Sequence, residues 1–317
     1  MPLTLEQYAN HLDTRDLTWP VAPEVQRPKA KPHLAKMPLV RCVCWNVYGT
    51  LVNLSTGGLL FEHPTKFVMD IALDKTVQEF KMWGSMSRKP GQPADYMREI
   101  YDKVLYEQRM APSHGEKYPE IYSERVWEAI VKKLLQKEYK FDAGYFGSLN
   151  EYCRKIAYFF HASLQGTACY EGAATALEHV HASGLKQGLM ADTQGFTLVQ
   201  LQRGLAAQHC ATSLDLLIDR GLRALSHEVG AKKPSERLFK AFLAQAAQQG
   251  LQPAQILHVG SRLMNDLAPA KKLGMRTALF AGDKESLQAT PEQLKDPATR
   301  PDVMMTELGQ IAEIVVA

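Results

Sequence analysis

The chain has 317 residues, of which 45% are hydrophobic and 22% charged, with a net charge of +3. This is a globular composition; scattered lysines and arginines give no nucleic-acid surface, and no run approaches the roughly 20 apolar residues that span a bilayer. The opening MPLTLEQYANHLDTRD lacks the basic start and apolar core of a signal peptide, so a cytoplasmic address is expected.

Residues 1–38 read as an N-terminal extension: a short helix near residues 4–12, then a stretch whose five prolines predict an extended strap packed on the body. LVRCVCWNVYG (39–49) is an apolar run ending in a turn signal, the pattern of a buried parallel strand on which Cys42 and Cys44 share a face. The five cysteines have no zinc-type spacing and read as reduced thiols. From about residue 60 to 165, four segments opening at Thr65, Ala94, Tyr122 and Asn150 carry apolar residues at three- and four-residue intervals, which predicts an all-helical module. After Gly172 helices at 173–183, 196–208, 234–249 and 265–273 alternate with strands at 185–191, 214–219, 255–260 and 276–280. A last strand at 302–305 precedes a closing helix. This alternation implies an α/β fold, a doubly wound parallel sheet of about five or six strands. The expected division is an extension (1–38), a core (39–58 and 166–317) and a helical cap (59–165) inserted after the first strand.

In such a sheet, ligands bind at the carboxyl ends of the strands, beside the reversal of strand order. The loops there contain WNVYGTLV (45–52), GLMADTQG (188–195), KKPSERLF (232–239) and HVGSRLMNDLAPAKKLGM (258–275), with the helical insertion between the first and second. In order and spacing these resemble the four motifs of the haloacid dehalogenase-like (HAD) hydrolase superfamily with a type-one helical cap, over about residues 39–315. The resemblance implies a Rossmann-like core. It also implies an aspartate at the position of Asn46 that forms a covalent ester with the substrate, and a charge-neutralising role for Lys233. In the phosphatases of the family, Mg²⁺ binds the nucleophile, a backbone carbonyl two residues on and a fourth-motif aspartate.

Asn46, Tyr48, Lys233 and Asp266 thus occupy catalytic positions, and Gly49, Thr50, Ala191, Asp192, Thr193, Ser261 and Arg262 are the expected ligand-binding residues. Asn46 is no nucleophile, and Tyr48 stands where most phosphatases have their acid/base aspartate. Ala191 replaces an anchoring hydroxyl that Thr193 could supply if the loop shifts, and Ser261 replaces an aspartate. Tyr48, Ser261 and Asp266 fit the metal-free 2-haloacid dehalogenase branch, whereas Asn46, Ala191 and Leu263 do not. Lys233 at a helix start opposes the helix dipole, which favours a functional reason for it, and Asp266 reads either as a helix cap or as a ligand.

The leading expectation is a catalytically degenerate family member that binds a small anionic molecule between cap and core without a cofactor. The Asn46 amide, the backbone N–H groups of Gly49 and Thr50, and Lys233 are expected to hold it. Mg²⁺ enters only on a phosphatase reading, with a weak site at Asn46, Tyr48 and Asp266. Two alternatives stay open: an active hydrolase of dehalogenase or phosphatase type whose nucleophile was exchanged by engineering, and a non-catalytic interaction module using the cap and strap. No nucleic-acid or membrane partner is expected, and a homo-oligomer is left open.

Overall fold

The computed structural model describes residues 1–86, 93–111 and 115–315. Thr4 and Gln7 exchange side-chain and backbone bonds to start helix α1 (Leu5–Asp13), whose Tyr8, Ala9 and Leu12 form one buried face. The chain then runs as a strap to the wholly buried strand β1 (Cys42–Trp45) and the short strand β2 (Val52–Asn53). The inserted helices follow: α2 (Lys66–Glu79), α3 (Pro93–Arg109), α4 (Ser123–Leu135), the single turn α5 (Ala143–Phe146) and α6 (Leu149–Leu164). A Ser148–Glu151 capping box starts α6. Its Tyr152, Phe159 and Phe160 pack edge-on or tilted against Phe80, Tyr101 and Trp127. Tyr8 of α1 lies in the same apolar cluster, edge-on to Phe146, so the chain's first helix completes the core of the cap.

Strand β3 (Ala168–Cys169) pairs antiparallel with β2, joining the two crossings between cap and core as a small ribbon. One half of the core then comprises α7 (Ala173–Ala182), β4 (Lys186–Ala191), α8 (Thr197–Ala207), the turn α9 (Leu214–Leu217), β5 (Arg223–Leu225), the turn α10 (Ser226–Val229) and α11 (Glu236–Gln248). The other comprises β6 (Ile256–Gly260), a π-helical turn (Leu263–Leu267) running into α12 (Ala268–Lys272), β7 (Arg276–Phe280), α13 (Pro291–Lys295), β8 (Val303–Met305) and α14 (Ile311–Ile314).

Six strands form one parallel sheet in the order β5-β4-β1-β6-β7-β8. The chain leaves β1 toward one edge and returns to leave it toward the other, so the order reverses beside β1 and its carboxyl end faces a crevice. Val43 and Trp45 enter the core layer on one face, and Cys42 and Cys44 that on the other, as a two-residue period demands. The strap pairs with the edge strand β8 through reciprocal backbone bonds of 2.9 and 2.8 Å between His33 and Met304. Among the described residues no helix is long and apolar enough to cross a membrane.

Two elements differ from the sequence expectation. LDLLID (214–219) holds the helical turn α9 rather than a strand, with Leu214 and Leu217, three apart, both reaching the core; the strand is the three-residue RAL at 223–225, too short to show alternation. The helix expected at 265–273 begins instead as a π turn at Leu263, which places Asp266 inside.

Candidate functional site

Asn46 follows β1 and is 1% exposed. Two partners of unambiguous chemistry orient it. Lys233 Nζ, which can only donate, lies 3.0 Å from Asn46 Oδ1, and Asn46 Nδ2 donates to the Tyr48 carbonyl at 2.8 Å and, more weakly, to Thr50 Oγ1 at 3.4 Å. The cradle is complementary to an amide. A carboxylate in the same place would set an oxygen against the Tyr48 carbonyl.

Lys233 Nζ also donates to Asp266 Oδ1 at 2.9 Å, with both side chains fully buried, and the Lys233 amide donates to Asp192 Oδ1 at 2.8 Å. Arg262 closes the network. Its Nη2 donates to Asp192 Oδ2 at 2.9 Å and Asp266 Oδ1 at 3.0 Å, and its backbone N–H to Asp266 Oδ2 at 3.0 Å. Burial by itself would raise the Asp266 carboxyl, but Arg262 and Lys233 outweigh it and hold that carboxyl well below the usual range. Burial likewise opposes the charge on Arg262, which Asp266 and Asp192 more than restore. Two cations and two carboxylates are therefore mutually engaged. Beneath them His258 is pushed down to about 3, by burial first and by Lys233 second, and its Nδ1 pairs with the Cys44 carbonyl at 3.0 Å.

This donor set does not fit Mg²⁺. Asp266 has both oxygens committed to Lys233 and Arg262, and Asn46 turns a donor, not an oxygen, toward the Tyr48 carbonyl. Among the described residues no group of three or more His, Cys, Asp and Glu is placed to hold a metal.

Several expected ligand contacts are rearranged. Thr193 lines the cleft near the buried Ala191; its Oγ1 pairs with His227 Nδ1 at 2.8 Å and its amide donates to Ser226 Oγ at 2.7 Å. The Gly49 and Thr50 amides donate to the Val52 and Val47 carbonyls at 2.8 and 3.2 Å, because the loop closes on itself as a turn. The amides of Val47 and Tyr48, just upstream, have no partner among the described residues. Gly49 has φ +77°, and a Cβ there would sit 2.9 Å from Ser261 Oγ, a buried hydroxyl with no hydrogen-bond partner among the described residues. The Tyr48 phenol, held neutral by burial, reaches α8, pairing with Thr197 Oγ1 at 2.9 Å and donating to Gln200 Oε1 at 2.6 Å.

A cleft of about 460 Å³ lies over Asn46 and Lys233, roofed by Leu59, Phe61 and Ile121. Its lining also includes Glu120, outside the sequence motifs, and Lys232, which opens the third motif beside Lys233. Residues 118–120 and 230–232 pair antiparallel across Pro119 and Ala231, with the Lys232 amide donating to Tyr118 O at 2.9 Å. Gln194 reinforces this junction: Nε2 donates to Ile121 O at 2.8 Å and Glu120 Oε1 at 3.2 Å, and Oε1 accepts from the Ser123 amide at 2.8 Å. No local sequence signal marks Glu120 or Gln194, since their roles arise only when cap meets core.

Residues 230–311 match a family model described as HAD-hydrolase-like. No curated protein matches the sequence. In structure the chain is similar to a 2-haloacid dehalogenase from Pseudomonas syringae pv. Tomato DC3000, at 15% identity and a TM-score of 0.52 over 86% of this chain and 97% of that one. It is also similar to a HAD phosphatase from Thermococcus onnurineus (14%, TM-score 0.45, 86% and 96%). A third likeness is to an L-2-haloacid dehalogenase from Xanthobacter autotrophicus with chloropropionic acid covalently bound (16%, TM-score 0.40, 86% and 97%).

Proposed function

We propose that the chain is a haloacid dehalogenase-like protein, catalytically silent, that holds a small anion between cap and core without Mg²⁺. The observation that carries this reading is Asn46 lodged between a donor-only ammonium and an acceptor-only carbonyl. Covalent catalysis needs a free carboxylate at that point, and an amide with both ends engaged has no route to an ester. Anion binding is supported by the unpartnered amides of Val47 and Tyr48 and by Lys232, which makes no ion pair among the described residues. Lys233 contributes less than its motif implies, because Asp266 already engages its charge.

Turnover of a chromogenic phosphate ester and of a 2-haloacid, with or without Mg²⁺, is expected to equal the buffer blank. Turnover abolished by Lys233→Ala would overturn the silent reading. Inorganic phosphate is expected to raise the unfolding temperature of the parent and not of Lys232→Ala; equal shifts in both would remove Lys232 from the site.

A further inference from the structure

Resting on the anion-binding reading above, we infer that the ligand of the cleft is a small zwitterion, its anionic end on the Val47 and Tyr48 amides and Lys232, its cationic end on Glu120. The charges lining the cleft sort themselves. Glu62 pairs with Arg109 at 2.6 Å, Asp192 with Arg262 at 2.9 Å, and Lys233 with Asp266 at 2.9 Å. Glu120 and Lys232 remain, an acid and a base without an ion pair among the described residues.

Their placement follows from the backbone. In the antiparallel bridge centred on Pro119 and Ala231, the flanking residues project to the face opposite the central pair. Glu120 and Lys232 are therefore diagonal neighbours on one face, with Cβ atoms roughly 7 Å apart. That spacing leaves room for a ligand's two charged ends. A purely anionic ligand would meet Lys232 but approach Glu120 and Asp192 as well; a purely cationic one would leave the amides unused. The cleft, of about 460 Å³, has room for such a molecule and for larger ones with the same charge pattern.

The state of Glu120 supplies a signature. Asp192 and Gln194 from the loop after β4, Ser226 at the start of α10 and Lys232 ahead of α11 face it. Burial pushes its carboxyl up to about 7; Asp192 adds to the rise, and Ser226, the Ile121 amide and Lys232 oppose it. An ammonium docked there favours the ionised form, so binding just below neutrality releases the Glu120 proton to solvent.

The test is calorimetric titration of the full chain just below neutral pH, in buffers of different ionisation enthalpy, with three matched pairs: β-alanine and propionate, γ-aminobutyrate and butyrate, phosphoethanolamine and ethyl phosphate. In at least one pair the amino compound is expected to bind roughly tenfold more tightly and to release protons. Glu120→Gln should erase both effects while the amine-free partner still binds, and Lys232→Gln should weaken both members alike. Equal affinity within every pair would overturn the zwitterion and leave the anion reading standing. An amino preference that survives Glu120→Gln would overturn the assignment of the cationic end. If none of the six binds, both readings fall.

Discussion

At position 46 an amide and a carboxylate differ by one group, NH₂ for O⁻, and the surrounding atoms distinguish them by hydrogen-bond sense. Asn46→Asp forfeits the 2.8 Å bond to Tyr48 O and adds a negative charge beside the buried Asp266, partly offset by Lys233. Loss of such a bond in a buried place is expected to cost about 2 kcal/mol, read as a lower urea midpoint. Mg²⁺-dependent phosphatase activity should not appear, since Arg262 and Lys233 still occupy Asp266. An unchanged midpoint, or activity with Mg²⁺, would contradict this account. Glu120 provides a pH test. Its folded carboxyl, at about 7, lies above the ordinary 4.5, so the folded state holds the proton more tightly, and ionisation subtracts stability as pH rises from 4.5 through 7. Glu120→Gln is therefore expected to match the parent below that window and to be more stable above it. A difference that stays constant with pH would point to packing rather than titration.

Among the elements, the junction between the start of α4 and the loop after β4 depends on a single side chain. Gln194 makes three bonds to the segment entering α4, a union that no pattern within either segment encodes. Gln194→Ala is expected to cost about 2–3 kcal/mol and to speed hydrogen exchange at the Ser123 amide, which loses its acceptor. Exchange there unchanged from the parent would show the junction to be held by the Pro119–Ala231 bridge alone. Periodicity revealed the long cap helices because each buries one face over three turns or more. It misread 214–219 because Leu214, Leu216 and Ile218 alternate as in a strand, while Leu214, Leu217 and Ile218 are spaced as in a turn of helix, and only packing on the core separates the two.

For the molecule as a whole, the N-terminal residues connect what the insertion separates. Helix α1 is seated in the cap, yet its outer face bonds α8 of the core: Arg203 Nη1 donates to Asn10 Oδ1 at 2.9 Å, Arg203 Nη2 to both oxygens of Asp13, and Gln202 Nε2 to Glu6 Oε1 at 2.8 Å. The strap then crosses Gly166, where a side chain would strike Val21, accepts from Asn53 Nδ2 at Pro23 O, and ends along β8. Removal of residues 1–38 is expected to uncover Phe80 and Phe146 of the cap and the edge of β8, lowering the unfolding temperature and causing self-association visible by light scattering. A truncated chain that stays monomeric with an unchanged transition would reduce the strap to a passive tail.

Taken alone, the sequence determined the α/β alternation, the helical insertion and the four motif-bearing loops. Each of these is written in periods and turn residues within a dozen or so positions, where local sterics and burial decide the outcome. It also put an amide rather than a carboxylate at position 46, at the end of the first strand. The tertiary structure alone decided what those side chains do with their bonding groups. Lys233 bonds Asp266 and Asn46, Thr193 bonds His227, and the Gly49 and Thr50 amides close their own turn, whereas Tyr48, Lys232 and Glu120 line the cleft. Hydrogen bonds and ion pairs saturate between residues brought together from distant parts of the chain, and no local pattern records which partner arrives first.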